Sequence, residues 1–227
     1  MTARKAQAAD TRQWRQMPAE YRRRQLMDAT IDVIAEVGIS KTTVGLVAAR
    51  ANLSPAIINL QFGNKETMLI ETFKSMRQEF SDAWLAAQVT DANNDISRRI
   101  ANMLAVYFQP EMCVPEKLRV WFAFLGEAAA RQTYLDITHR YEDAYVGTLT
   151  EMCAQLIRTG GYTHLRAEHA ARSLLATCDG LWVARMLRPD TLSPEACREN
   201  LAAVLALAFP DHFKGATQLN QSGIAPE

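Results

Sequence analysis

Between Thr42 and Lys65 the chain starts and stops two helices in quick succession, and no other stretch restricts the fold as much. Val44 to Ala51 carries Val44, Val47 and Ala48 at helical spacing, with Thr42 or Thr43 placed to cap it. Asn52-Leu53-Ser54 ends that helix. The next opens with Ser54 at the cap and Pro55 in the first turn, a strong start signal, and closes near Phe62 before Gly63-Asn64. Ahead of both, Leu26, Ala29, Thr30, Val33, Ile34 and Val37 recur on one face of a helix spanning 18–37, which Gly38 terminates. Two short helices joined by a tight turn and preceded by a longer one form a helix-turn-helix.

The second short helix has the build of a groove reader. Ser54, Pro55, Ala56 and Asn59 are small or polar, while Ile57, Ile58, Leu60 and Phe62 either grip the core or touch thymine methyls. The expected DNA contacts are Thr42, Thr43, Ser54, Pro55, Ala56, Asn59, Gln61 and Lys65. Lys65 opens the following helix, where unpaired amides and a cation can hold a phosphate together. Charge agrees with this. Residues 1–65 carry ten Lys and Arg against five Asp and Glu, and the remainder carries 15 against 20. A basic first quarter suits a polyanion. A solvated basic face gives the same count, so Arg22-Arg23-Arg24 alone decides nothing. Gly45 inside the first short helix weakens it by about 1 kcal/mol relative to Ala, and close approach of a backbone or of DNA is the one account the sequence offers.

The remainder reads as all-α. A long helix runs over 65–87 with Leu69, Phe73, Met76, Phe80 and Trp84 as its apolar stripe, and a polar linker covers 89–94. Five further helices are expected over 95–108, 115–130, 133–159, 166–187 and 194–208, with breaks at Gln109-Pro110, Gly160-Gly161 and Pro189-Asp190. The implied division is a basic arm and DNA-binding domain over 1–64, an effector-binding and dimerisation domain over 65–210, and a polar, disordered tail over 211–227. Residues 1–17 form the arm, with Trp14 docking on the body.

In the second domain the last two helices are rich in small residues, among them Ala170, Ala171, Gly180 and Ala202, as a close-packed homodimer interface would be. Alanine as a plain helix former is the competing reading. Trp121, Phe122, Phe124, Glu127, Tyr141, Tyr145 and Trp182 are the expected ligand residues, with Glu142 nearby. Aromatic faces and a carboxylate can enclose a quaternary ammonium, although a ring stripe on a helix also makes ordinary core. Cys113, Cys153, Cys178 and Cys197 form no CxxC pair, and His139, His164 and His169 have no metal-ligand spacing, so no metal or cofactor is expected. Scattered thiols, a polar start and no apolar run of about 20 residues point to a cytoplasmic protein without a membrane partner.

The run from Thr42 to Ser54, continued by Pro55 to Phe62 and by Lys65-Glu66-Thr67-Met68-Leu69, resembles the TetR family of one-component regulators, as does the preceding Ile34-Ala35-Glu36-Val37-Gly38. That resemblance implies double-stranded operator DNA, a small-molecule effector and a homodimer as partners. The chain departs from the family at three positions. Asn52 stands where glycine is usual, but Asn also adopts the left-handed backbone that a tight turn wants. Asn59 and Gln61 stand where the family carries rings that commonly touch phosphates, and their amides can donate to phosphate or pair with adenine. Tyr21 to Thr30, Ile57-Ile58 and Asp179-Gly180-Leu181-Trp182 are similar to the family's choline-responsive BetI branch, which implies a repressor of choline and glycine betaine genes. The alternative is a regulator of efflux or catabolic genes sensing an uncharged apolar molecule. A helical adaptor without DNA is a third class. No phosphate loop, GxSxG elbow or HExxH supports an enzyme.

Overall fold

A computed structural model of the chain describes residues 17–89, 95–128 and 131–214. The expected arm with Trp14, most of the linker and most of the polar tail lie outside the described residues. Those described form an all-α fold with no strand: α1 (Ala19–Val37), α2 (Val44–Arg50), α3 (Pro55–Phe62), α4 (Lys65–Val89), α5 (Ile96–Ala105), α6 (Pro115–Ala128), α7 (Gln132–Gly160), α8 (Ala167–Leu187) and α9 (Pro194–Ala208). The expected helix over 95–108 tightens into a 3₁₀ turn, Val106–Phe108, for its last three residues. Asp95 caps α5, its carboxylate accepting from the Ser97 amide.

The chain divides into two compact units. One comprises the described residues up to Gln78 together with Arg119–Ile137, and the other comprises Glu79–Leu118 and the described residues from Thr138 on. The first unit therefore continues past the Gly63-Asn64 break into α4. Its head is held by Leu26, Ala29 and Val33 of α1, Val47 and Ala48 of α2, Leu53 of the turn, Ile57, Ile58 and Phe62 of α3, and Met68 of α4. Burying each of the larger of these contributes about 1.5–3 kcal/mol as an upper estimate. Further along α4, Phe73 stacks on Phe124 with centroids 4.9 Å apart, and both lie 5.9 Å from the ring of Tyr134. Burial pushes the Tyr134 phenol up to about 12, so it stays neutral.

In the second unit Phe80 is edge-on to Tyr107, Tyr145 and Trp182, and Trp84 lies 4.9 Å from Tyr145. The Trp182 indole N–H donates to the Tyr107 carbonyl at 2.6 Å, which fixes α8 to the middle of the 3₁₀ turn. Arg198 of α9 donates to the Phe108 carbonyl at 2.8 Å. Gly160 ends α7 where a Cβ would stand 2.4 Å from the Tyr162 ring. The four cysteines are buried free thiols, and burial pushes Cys153 to about 12 and Cys197 to about 11. No described helix is long and apolar enough to cross a membrane.

Candidate functional site

The head is shaped by its turns. Thr43 caps α2, its hydroxyl oxygen accepting from the Leu46 amide at 3.2 Å. Thr42, the other candidate cap, is fully buried, and its hydroxyl donates to the Gly38 carbonyl at 2.8 Å. The expectation that Thr42 meets DNA is corrected on that ground: its side chain points into the loop. Asn52 has φ of 60°, the only positive value among described non-glycine residues, so it takes the left-handed turn as expected. The Leu53 amide then donates to the Ala48 carbonyl at 2.8 Å and closes the turn. Gly63, φ 79°, ends α3 with its amide on the Asn59 carbonyl.

Of the α3 residues, Ile57, Ile58 and Phe62 are buried, while Pro55, Ala56, Asn59 and Leu60 are exposed and Gln61 is half-buried. The exposed set follows helical geometry, since positions i, i+1, i+4 and i+5 share a face. Ser54, ahead of the helix, is exposed and makes no side-chain cap bond. Lys65 is half-buried with Nζ 3.4 Å from the Ile39 carbonyl, a long contact that ties α4 to the loop after α1. The expected contacts other than Thr42 are thus at least partly exposed. Among the described residues a Cβ on Gly45 would meet only the Thr43 hydroxyl oxygen, at 3.8 Å, so none of them requires glycine there.

Three head residues make contacts beyond those expected from the sequence. Arg23 donates to the Gln61 carbonyl at 2.6 Å, lies 4.6 Å over the Phe62 ring and pairs with Glu71 at 3.5 Å. Arg50 pairs with Asp32 at 3.5 Å and with Glu36. Asn64 accepts from the Thr67 amide at 2.8 Å and so caps α4. An Asn three residues before Thr67 is a local signal for that cap. Arg23 and Arg50 reach across the chain to other helices, and spacing along the sequence does not encode such pairs.

The expected ligand residues fall into the two units. Trp121, Phe122, Phe124 and Glu127 belong to the first, and Tyr141, Tyr145 and Trp182 to the second. In the first unit the chain supplies its own partners. The buried Arg77 guanidinium lies 5.0 Å from the Trp121 ring centre, so a protein cation already occupies that ring face. Glu127 pairs with Arg131 at 3.1 Å, and Arg131 pairs also with Glu66 at 2.8 Å. Phe124 is stacked on Phe73, and Phe122 is half-buried. In the second unit Tyr141 is half-buried 6.5 Å from Tyr145, and Tyr145 and Trp182 are buried among the rings around Phe80. Trp84 and Tyr107, not among the expected residues, complete that ring cluster.

Comparison with known proteins agrees with this architecture. Residues 26–72 match the family described as bacterial regulatory proteins, tetR family, and residues 97–210 match the BetI-type transcriptional repressor C-terminal family. The HTH-type transcriptional regulator BetI of Burkholderia thailandensis is 34% identical over 169 residues, covering 72% of this chain and 81% of that protein. A crystal structure from Pseudomonas aeruginosa PAO1 superposes with a TM-score of 0.76 at 23% identity, covering 88% of this chain and 96% of its own. A Saccharomonospora viridis protein, solved in complex with choline, superposes with a TM-score of 0.69 at 21% identity, covering 81% and 95%. With residues 97–210, just over half of the chain, matched to the BetI-type family, residues 26–72 matched to the tetR family, and a curated relative at this level of identity, the chain is a transcriptional regulator belonging to the TetR family and, within it, to the BetI type.

Proposed function

We propose that the chain binds a near-palindromic operator as a homodimer and represses genes of choline and glycine betaine metabolism until a quaternary amine releases it. The observation carrying the DNA reading is the division of α3, with Ile57, Ile58 and Phe62 buried beneath an exposed Pro55, Ala56 and Asn59. Ala56 and Asn59 approach base edges, with Ser54 and Pro55 at the entering end and Gln61 on a phosphate. Thr43 accepts one amide bond through its oxygen, and its hydroxyl hydrogen remains to donate to a phosphate. Lys65 adds a cation at the start of α4.

One head covers a half-site, and two-fold symmetry lets a pair span successive major grooves. Val183 and Leu187 of α8 and Leu207 of α9 are exposed apolar residues on the small-residue helices, which supports a dimer through α8 and α9. For the effector, the match over 97–210 and the ring cluster of the second unit support choline or a related amine. Tyr141, Tyr145 and Trp182, joined by Trp84 and Tyr107, are the rings that recognise it. The ligand releases DNA by preferring the DNA-incompetent conformation, and a preference of ~3 kcal/mol gives roughly a hundredfold loss of affinity. An uncharged apolar effector is the second reading, favoured by the Arg77 guanidinium over Trp121, where a ligand cation would meet a like charge.

The experiment is binding of the whole chain to duplexes selected from a random pool, followed by fluorescence anisotropy with and without millimolar choline. Absence of any bound duplex at low salt removes the DNA reading. Duplex binding that choline leaves unchanged, with no calorimetric heat for choline, removes the cationic effector and leaves the apolar one. Trp182→Phe should weaken choline binding while Trp121→Phe should not. Sedimentation showing only a 25.4 kDa species at micromolar concentration removes the dimer.

A further inference from the structure

Leu60 is 80% exposed on α3, more than any other large apolar residue of the described head. It contributes nothing to the head's core, which Ile57, Ile58 and Phe62 of the same helix complete. Leu60 also follows Ala56 by one helical turn, so the two share a face, and side chains on a helix lean toward its N-terminus. The methyl of Ala56 therefore leaves room for Leu60 to lie along the outer surface of α3 toward its leading end. Asn59, also exposed, flanks this apolar strip.

We infer that Leu60 is a specificity-determining residue that reads thymine through its C5-methyl group in the major groove. The inference rests on the DNA reading above. An A·T pair presents two features at one edge: the adenine N6–N7 donor–acceptor pair and the thymine methyl. An amide and a branched apolar group side by side on one helix face match that combination. A G·C pair has no methyl at this edge and puts polar atoms where Leu60 would press, leaving them without a partner. Leu60 carries no charge or hydrogen-bonding group, so it cannot serve as a phosphate contact. Its contribution to affinity therefore depends on which base it meets.

The test uses the whole chain and duplexes selected from a random pool. Each preferred duplex is remade with deoxyuridine at successive thymines, which removes the methyl and nothing else. The wild type is expected to lose roughly fourfold in affinity at a contacted thymine, the equivalent of one buried carbon. Leu60→Ala is expected to bind the thymine duplex at that weaker level and to be indifferent to deoxyuridine at the same place, with its salt dependence unchanged. Selection repeated with Leu60→Ala should relax the preference at that position only. Leu60→Ala sits on the surface and should melt with the wild type. Equal deoxyuridine losses in wild type and Leu60→Ala, or no loss in either, would overturn the assignment while DNA binding stood. A chain that selects no duplex at all would instead sink the DNA reading, and this inference with it.

Discussion

Arg23 of α1 donates to the main-chain carbonyl of Gln61 at 2.6 Å, one residue before the end of α3. That carbonyl belongs to the negative end of the helix, where a cation is favoured. The same guanidinium covers the Phe62 ring and pairs with Glu71 of α4, so one side chain joins three helices. Arg23→Ala is expected to cost about 1–3 kcal/mol of stability and to weaken all duplexes alike, because α3 loses its brace. Arg23→Lys should recover only part of this, since an ammonium cannot bond the carbonyl and lie flat on the ring together. Chemical melts and anisotropy check both; an Arg23→Ala protein with wild-type stability would show the brace to be idle.

Thr42 and Thr43 separate structure from recognition. Thr42→Val removes a buried hydroxyl bond but leaves the Gly38 carbonyl accepting the Thr42 amide at 3.2 Å, so the loss should be about 1 kcal/mol with DNA affinity unchanged. Thr43→Ala should cost a similar amount through the lost cap and should also weaken every duplex. Paired melts and binding titrations distinguish them, and loss of DNA affinity in Thr42→Val would contradict its buried role.

Lys65→Ala is expected to reduce affinity for all sequences about equally and to flatten the salt dependence by about one unit. Anisotropy across a salt series measures this. A changed sequence preference would mean that Lys65 reads a base.

Asp95 gives a pH dependence with a defined sign. The hydrogen bond from the Ser97 hydroxyl is the largest influence on the Asp95 carboxyl, and with the Ser97 and Arg98 amides it holds the group below its ordinary value against the opposing effect of burial. The folded value lies below the unfolded one, near 3.8. The contribution is therefore complete above that unfolded value and is lost as pH falls through the folded one. Asp95→Ala should cost about 1 kcal/mol at neutral pH, and the deficit should shrink as the solution is made acid. Urea titrations at neutral and acid pH check this; a deficit independent of pH would assign the cap to a different group.

The helices were readable because their signals are local. Ser54-Pro55 marks the start of α3 and Asn52 marks the turn, and the apolar spacing of Leu26, Val33 and Ile58 marks the buried faces. Thr42 was misjudged because two adjacent threonines look equally suited to capping, while one residue of rotation separates a buried side chain from an exposed one. The expected ligand residues fall in two compact units, and in one of them Trp121 already faces Arg77. A buried arginine over a ring and a Glu127–Arg131–Glu66 chain of ion pairs arise from residues far apart in sequence. Spacing rules register distances along one helix and are blind to them.

The burial of the four thiols has a practical corollary for watching this protein move. Thiolate is the form that alkylating reagents attack, and a thiol raised to about 11 or 12 supplies almost none at neutral pH. Cys113, Cys153, Cys178 and Cys197 all belong to the second unit, and the head has no cysteine. Maleimide labelling of the native chain is therefore a stopwatch for that unit alone: each thiol is tagged only when its surroundings open, and excursions of the reading head leave no mark.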